Sequence, residues 1–148
     1  MAQVRSAEVT WSGNLVSGSG TVDYVSSGAL SRLPVSWAAR TEAHDGKTSP
    51  EEFLAAAHAS CFAMAFSSGL TKAGTPPQRL KVTAKVTFDQ GEGGWSVKSS
   101  ELIVRGIVPG ATAESFGEAA EAARDGCPIS RALKGNVELS VDATLEPA

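Results

Sequence analysis

The chain has no excess of positive charge: thirteen Lys and Arg stand against sixteen Asp and Glu, a formal net charge of −3. That balance gives no electrostatic case for nucleic acid or an anionic membrane as partner. Only two cysteines are present, Cys61 and Cys127, far too few for the disulfide framework of a small secreted domain. The opening "MAQVRSAEVT" lacks the apolar run of a signal peptide, so a cytoplasmic location is expected. In that compartment a cysteine pair is more often reduced, catalytic or metal-binding than a structural staple. Histidines also number two, and no C-x-x-C or H-x₃-H spacing joins His44 and His58 to the cysteines. Metal is therefore a weak reading, and no cofactor is implied.

What is present is an ordinary globular composition over 148 residues, 42% hydrophobic and 20% charged. One domain spanning residues 1–148 is expected, long enough for a real core. One long run departs from the average. "SPEEFLAAAHASCFAMAFSSGL", Ser49 to Leu70, carries no formal charge after Glu52. About 20 apolar residues suffice to cross a bilayer. This run is rich in Ala, Ser and Gly, which are weakly hydrophobic, so a buried helix is the better reading.

Its start is well marked. Ser49 is placed as N-cap, Pro50 at the first helical position and Glu52 as the far arm of an S-x-x-E capping box. Gly74, before "TPP", ends it. Before the helix, "EVTW" and "TVDYV" read as strands between Gly- and Ser-rich turns, and "PVSWAAR" as a further strand ending at Arg40. After it, "LKVTAKVTFD" alternates cleanly, and the run from Trp95 to Val108 changes parity, which predicts a bulge near Ser99–Ser100. "AESFGEAAEAARDG" reads as a helix burying Phe116, Ala119, Ala120 and Ala123, "CPISRALKG" as a short helix from Pro128, and "VELSVDATL" as the last strand. This order predicts an α+β fold, with antiparallel sheets packed on the long helix. Apolar residues on several helix faces exceed what two half-buried sheets can cover, which predicts a homodimer.

Cys61 lies deep inside its helix, so it gains nothing from the helix N-terminus. Burial alone would raise its pKa and leave it inert, a small core residue. His58, one turn earlier, is the nearest base. A Cys61–His58 pair would be a thiol hydrolase or acyl transferase, against a satisfied core histidine. Cys127, between a helix end and a helix start, is expected either near free backbone N–H groups that favour a thiolate or as a buried cap residue. Whether the two cysteines meet cannot be read from their separation along the chain.

The helix motif P-E-E-x-x-x-A-A-H-A-x-C, the later "GCPISRALKGNVELSVDATL" and the opening "W-x-G…G-x-G-T-V" together resemble the OsmC branch of the OsmC/Ohr family, from about Val9 to Leu145. The resemblance implies an intertwined homodimer and a thiol peroxidase for organic hydroperoxides and, more weakly, hydrogen peroxide. It implies Cys61 as the peroxidatic cysteine, Cys127 as the resolving one with a Cys61–Cys127 disulfide, and Glu51 as the active-site carboxylate. Arg40 matches the active-site arginine, although the loop from Arg40 to Pro50 is about one residue longer than the family pattern; Arg32 is the alternative. A dithiol of lipoyl type is the implied reductant. Phe53, Phe62 and Phe66 are candidates for an apolar substrate approach, or ordinary core residues.

Glu51 and Cys61 are ten residues apart on one helix, about 15 Å along its axis. No carboxylate spans that distance, so a shared site requires Glu51 of one copy beside Cys61 of another. Two readings from other classes stay open: the Cys–His hydrolase, and a redox-sensing or small-molecule-binding dimer.

Overall fold

A computed structural model describes residues 1–148. The chain divides into two compact units, Met1–Phe53 and Leu54–Ala148. The first is an antiparallel meander of β1 (Ala7–Ser12), β2 (Ser19–Val25) and β3 (Ser31–Val35), followed by the short helix α1 (Trp37–Thr41). The expected strand through "PVSWAAR" is thus corrected: it stops at Val35. Ser36 turns the chain, because its Oγ accepts the Ala39 amide at 3.1 Å and so caps α1. That cap gives the good helix formers of "WAAR" a place to start.

Helix α2 (Pro50–Lys72) begins in this unit and continues into the second. Ser49 Oγ accepts the Glu52 amide at 3.2 Å, as its capping position predicts. At the other end Gly74 has φ +86, a left-handed conformation. The Thr75 amide then closes onto the Leu70 carbonyl at 2.9 Å. Only glycine takes that turn without strain.

The second unit adds β4 (Arg79–Gly91), β5 (Gly94–Ile107), α3 (Ala113–Gly126), α4 (Pro128–Leu133) and β6 (Glu138–Leu145). β4 and β5 form a long antiparallel hairpin. Its bulge leaves Lys98 unpaired, with Thr87 opposite Ser99 and Phe88 opposite Val97. This is one residue before the site read from parity. β6 pairs parallel to β5, so the expectation of purely antiparallel sheets is corrected for this edge. A parallel partner needs a long crossover, and α3 with α4 supplies it.

The core of this unit joins three layers of side chain. Phe62, Phe66 and Leu70 come from α2, Leu102 and Val104 from β5, and Phe116, Ala120 and Ala123 from α3. Phe66 sits 5.4 Å from Phe62 and 5.0 Å from Phe116 between ring centroids. The fully buried residues of α2 in this unit, His58, Phe62, Phe66 and Leu70, recur at i+4 and so make one stripe. The same helix is long and apolar enough to cross a membrane by length and composition, yet that stripe is spent on a protein core. Its other faces are not covered within the chain: Ala56, Ser60 and Ser68 are exposed, and Met64 is 68% exposed.

Gly106 is where β5 meets α3 most closely. A Cβ there would lie 2.7 Å from Phe116 Cζ and 2.9 Å from Leu80 Cδ2. Gly106→Ala is expected to lower stability by about 1–3 kcal/mol through overpacking. Urea unfolding, read as a lower midpoint at unchanged slope, checks it.

Candidate active site

Helix α1 carries Arg40 towards Glu51 at the start of α2. Arg40 Nη2 donates to Glu51 Oε1 at 2.7 Å, and Nε donates to both carboxylate oxygens at 3.2 Å. The guanidinium also lies 5.6 Å from the centroid of the Trp37 ring. A planar fork met by a carboxylate and an aromatic face has little freedom left. Glu51 is buried while the arginine side chain keeps 27% of its surface exposed. Arg32, the alternative arginine, is exposed on β3 in the left-handed region at φ 54 and is not part of this pair.

The two cysteines meet in the second unit. Both are free thiols; Cys61 is half-buried and Cys127 fully buried at the corner between α3 and α4. The corner is fixed from both sides, with the Cys127 amide donating to Ala123 O at 2.9 Å and the Arg131 amide donating to Cys127 O at 3.0 Å. The thiols lie near enough to influence each other's ionisation.

Their environments push the two pKa values apart. Burial raises the Cys61 thiol, and the Cys127 thiol nearby raises it further, against a smaller pull from the Ile129 amide. At Cys127 burial also works upwards. It is outweighed by the Cys61 thiol and the polar groups of Ser130 and Ile129 nearby, and the group lies below its ordinary value. Within this unit the negative charge therefore favours Cys127 and the proton favours Cys61. A low pKa at Cys61 would require a cation from elsewhere.

His58 does not serve Cys61. Its Nδ1 is 2.7 Å from Ser100 Oγ and its Nε2 is 2.7 Å from Ser130 Oγ, so both ring nitrogens are taken. All three residues are buried. Phe62 and Phe66 are fully buried in the core, which corrects their reading as lining a substrate approach: a side chain without exposed surface meets no ligand. Phe53, half-buried at the end of the first unit, keeps that candidacy. Trp37, Ser100 and Ser130 carry no role in the sequence reading. Ser130 could have been found, since it stands three residues after Cys127 across Pro128, where a capping residue's partner falls.

One unit thus holds an arginine fork fixed by a carboxylate, and the other two free thiols in one core. Residues 43–142 match the family model described as OsmC-like protein, and the chain belongs to that family. It is 36% identical over 135 residues to "Peroxiredoxin OsmC" of Escherichia coli K12, covering 91% of this chain and 93% of that protein. The crystal structure of the organic hydroperoxide resistance protein OhrB of Bacillus subtilis superposes with a TM-score of 0.73 at 25% identity, over 94% of this chain and 98% of that one. An organic hydroperoxide resistance protein from Elizabethkingia anophelis gives a TM-score of 0.72 at 29% identity, over 97% and 100% of the two chains.

Burial disfavours the imidazolium of His58 and holds its pKa below the ordinary 6.5. The unfolded chain thus binds a proton at this residue that the folded chain refuses. Stability is expected to fall as pH drops below about 6.5, by at most about 1.4 kcal/mol per pH unit for one group. Unfolding midpoints at pH 7.5, 6.5 and 5.5 check it: His58→Gln should show a flatter decline than the native chain.

Proposed function

We propose that the chain reduces peroxides through its two cysteines, with organic hydroperoxides preferred over hydrogen peroxide. The observation that carries this reading is the pair of free thiols, Cys61 and Cys127, packed in one core of a chain 36% identical to a peroxiredoxin. Cys61, the half-buried and therefore reachable sulfur, attacks the distal peroxide oxygen. It becomes a sulfenic acid while the alcohol leaves. Cys127 then condenses with it to a disulfide and water. A dithiol of the lipoyl type reduces the disulfide and closes the cycle.

Arg40 is the cation that Cys61 needs. A thiol of pKa about 8.5 is only about 3% thiolate at pH 7, and lowering it to about 6 gains roughly thirtyfold. Aligning the peroxide and stabilising the departing alkoxide contribute more. A guanidinium serves both, since its donors sit at fixed angles, and Glu51 fixes it by the observed fork. Glu51 stands ten residues before Cys61 on α2, about 15 Å along the axis, so the site is shared between two copies of an intertwined homodimer. The exposed faces of α2 around Met64 support that assembly. The two units act together as one cytoplasmic peroxidase domain, and Phe53 borders the apolar entry.

The hydrolase alternative loses its base, because both His58 nitrogens are occupied by serine hydroxyls. An assay with an alkyl hydroperoxide and dihydrolipoamide tests the peroxidase. Cys61→Ser should abolish turnover, Cys127→Ser should stop after at most one, and Arg40→Lys should lower kcat about a hundredfold. Multiple turnover by Cys61→Ser would overturn the reading. Sedimentation at micromolar concentration should show a dimer; a stable monomer would remove the shared site.

A further inference from the structure

Helix α4 is held lightly. It has six residues, far below the length at which a helix sustains itself in water. Pro128 stands in its first turn, and Cys127 at its N-cap makes no side-chain cap bond. Pro128, Arg131 and Ala132 are exposed, and Ile129 and Leu133 are half-buried. Its one fully buried side chain is polar, the hydroxyl of Ser130. On one flank a cavity of about 230 Å³, lined by Arg124, Asp125, Ser130, Lys134, Val137 and Leu139, leaves α4 without packing.

What holds the buried hydroxyl is His58. Ser130 Oγ lies 2.7 Å from His58 Nε2, 72 residues earlier on α2, and Ser100 Oγ on β5 lies 2.7 Å from Nδ1. Either tautomer of the ring satisfies both contacts, because a hydroxyl can donate or accept. The ring and both hydroxyls are buried, so lifting Ser130 away strands Nε2 in an apolar core. The hydroxyl itself regains a partner from water once α4 lifts. The attachment is therefore one directional bond rather than a packed face. The same short helix carries Cys127 at its start, fully buried in the cluster against which Cys61 packs. The Arg131 amide donates to Cys127 O at 3.0 Å and the Lys134 amide to Ser130 O at 2.9 Å, which makes Cys127 and Ser130 parts of one turn.

We propose that the His58–Ser130 bond is a latch that keeps α4 closed over Cys127, so that this sulfur is held in the core where Cys61 packs and meets dissolved reagents only when α4 opens. The use made of Cys127 rests on the peroxidase reading above; the latch itself needs no bond to either sulfur. Ser130 and His58 are the positioning residues, and Ser100 steadies the ring without being part of the latch. Opening is a local unfolding of α4, governed by the one bond that fastens it. A closed resolver is spared direct attack by peroxides and electrophiles between turnovers, while half-buried Cys61 stays reachable.

The experiment labels Cys127 with iodoacetamide in the full chain carrying Cys61→Ser, where it is the one remaining thiol. Amide hydrogen exchange is followed in the same proteins, since it reads opening without depending on the thiol's ionisation. Ser130→Ala and His58→Asn remove the latch. Each should raise labelling, and exchange of the Arg131 and Lys134 amides, about tenfold while the amides of β5 stay as they were. His58→Gln keeps a polar atom at the Nε2 position and should remain within about threefold of the parent, whereas Asn reaches only the Nδ1 side. Ser100→Ala should also remain within about threefold, because the bond to Ser130 survives. Equal labelling across the set overturns the proposal, as does labelling that rises without exchange in α4. Exchange that rises equally in β5 is general loosening and overturns it too. If His58→Asn does not fold, Ser130→Ala against Ser100→Ala decides in the same way. No peroxide enters this test, so its failure strikes the latch alone, whereas failure of native Cys61 to oxidise strikes the peroxidase reading.

Discussion

The second unit is organised around one packed core that brings the Cys61 and Cys127 thiols near each other. α2 presents one thiol from mid-helix, and the corner between α3 and α4 presents the other. Neither placement is accidental to the fold. The stripe Phe62, Phe66 and Leu70 locks the rotation of α2 against β5 and α3, and that rotation decides where Cys61 faces. Ala123 and Arg131 hold the corner from its two sides. Two residues 66 positions apart in sequence are thereby packed into one core.

The pair is also unequal, and the inequality has a plain electrostatic cause. Burial works against ionisation at both sulfurs; at Cys61 it prevails and raises the thiol, while at Cys127 the polar groups around it prevail and lower it. A resolving sulfur that is already inclined to ionise suits a fast second step. The Arg40–Glu51 fork belongs to the first unit, where the carboxylate fixes the guanidinium.

Much of this was legible in the residues. Ser49, Pro50 and Gly74 marked α2 because capping and left-handed turns demand those residue types. The alternation of "LKVTAKVTFD" marked β4 because a sheet edge-on to a core repeats every two residues. The direction of β6 was not legible, since alternation is the same for parallel and antiparallel pairing. "PVSWAAR" misled because Pro34 and Val35 continue a strand pattern that one side-chain hydrogen bond from Ser36 ends. Cys61, Cys127, Arg40 and Glu51 stood out through the family motif. Ser100 and Ser130 did not, because a serine is common on surfaces and only burial beside a histidine gives its hydroxyl meaning. Phe62 and Phe66 lie on the wrong side of that same limit: apolar residues near a thiol read alike whether they face a ligand or a core.

The central claim is that Cys61 and Cys127 act in sequence as attacker and resolver. Peptide-level mass spectrometry of the thiols, quenched at short times after one equivalent of an alkyl hydroperoxide, tests it most directly. The account predicts oxygen first on Cys61 alone, then its loss as a Cys61–Cys127 disulfide appears. Oxygen arriving first on Cys127, or oxidised Cys61 that never links to Cys127, would contradict it.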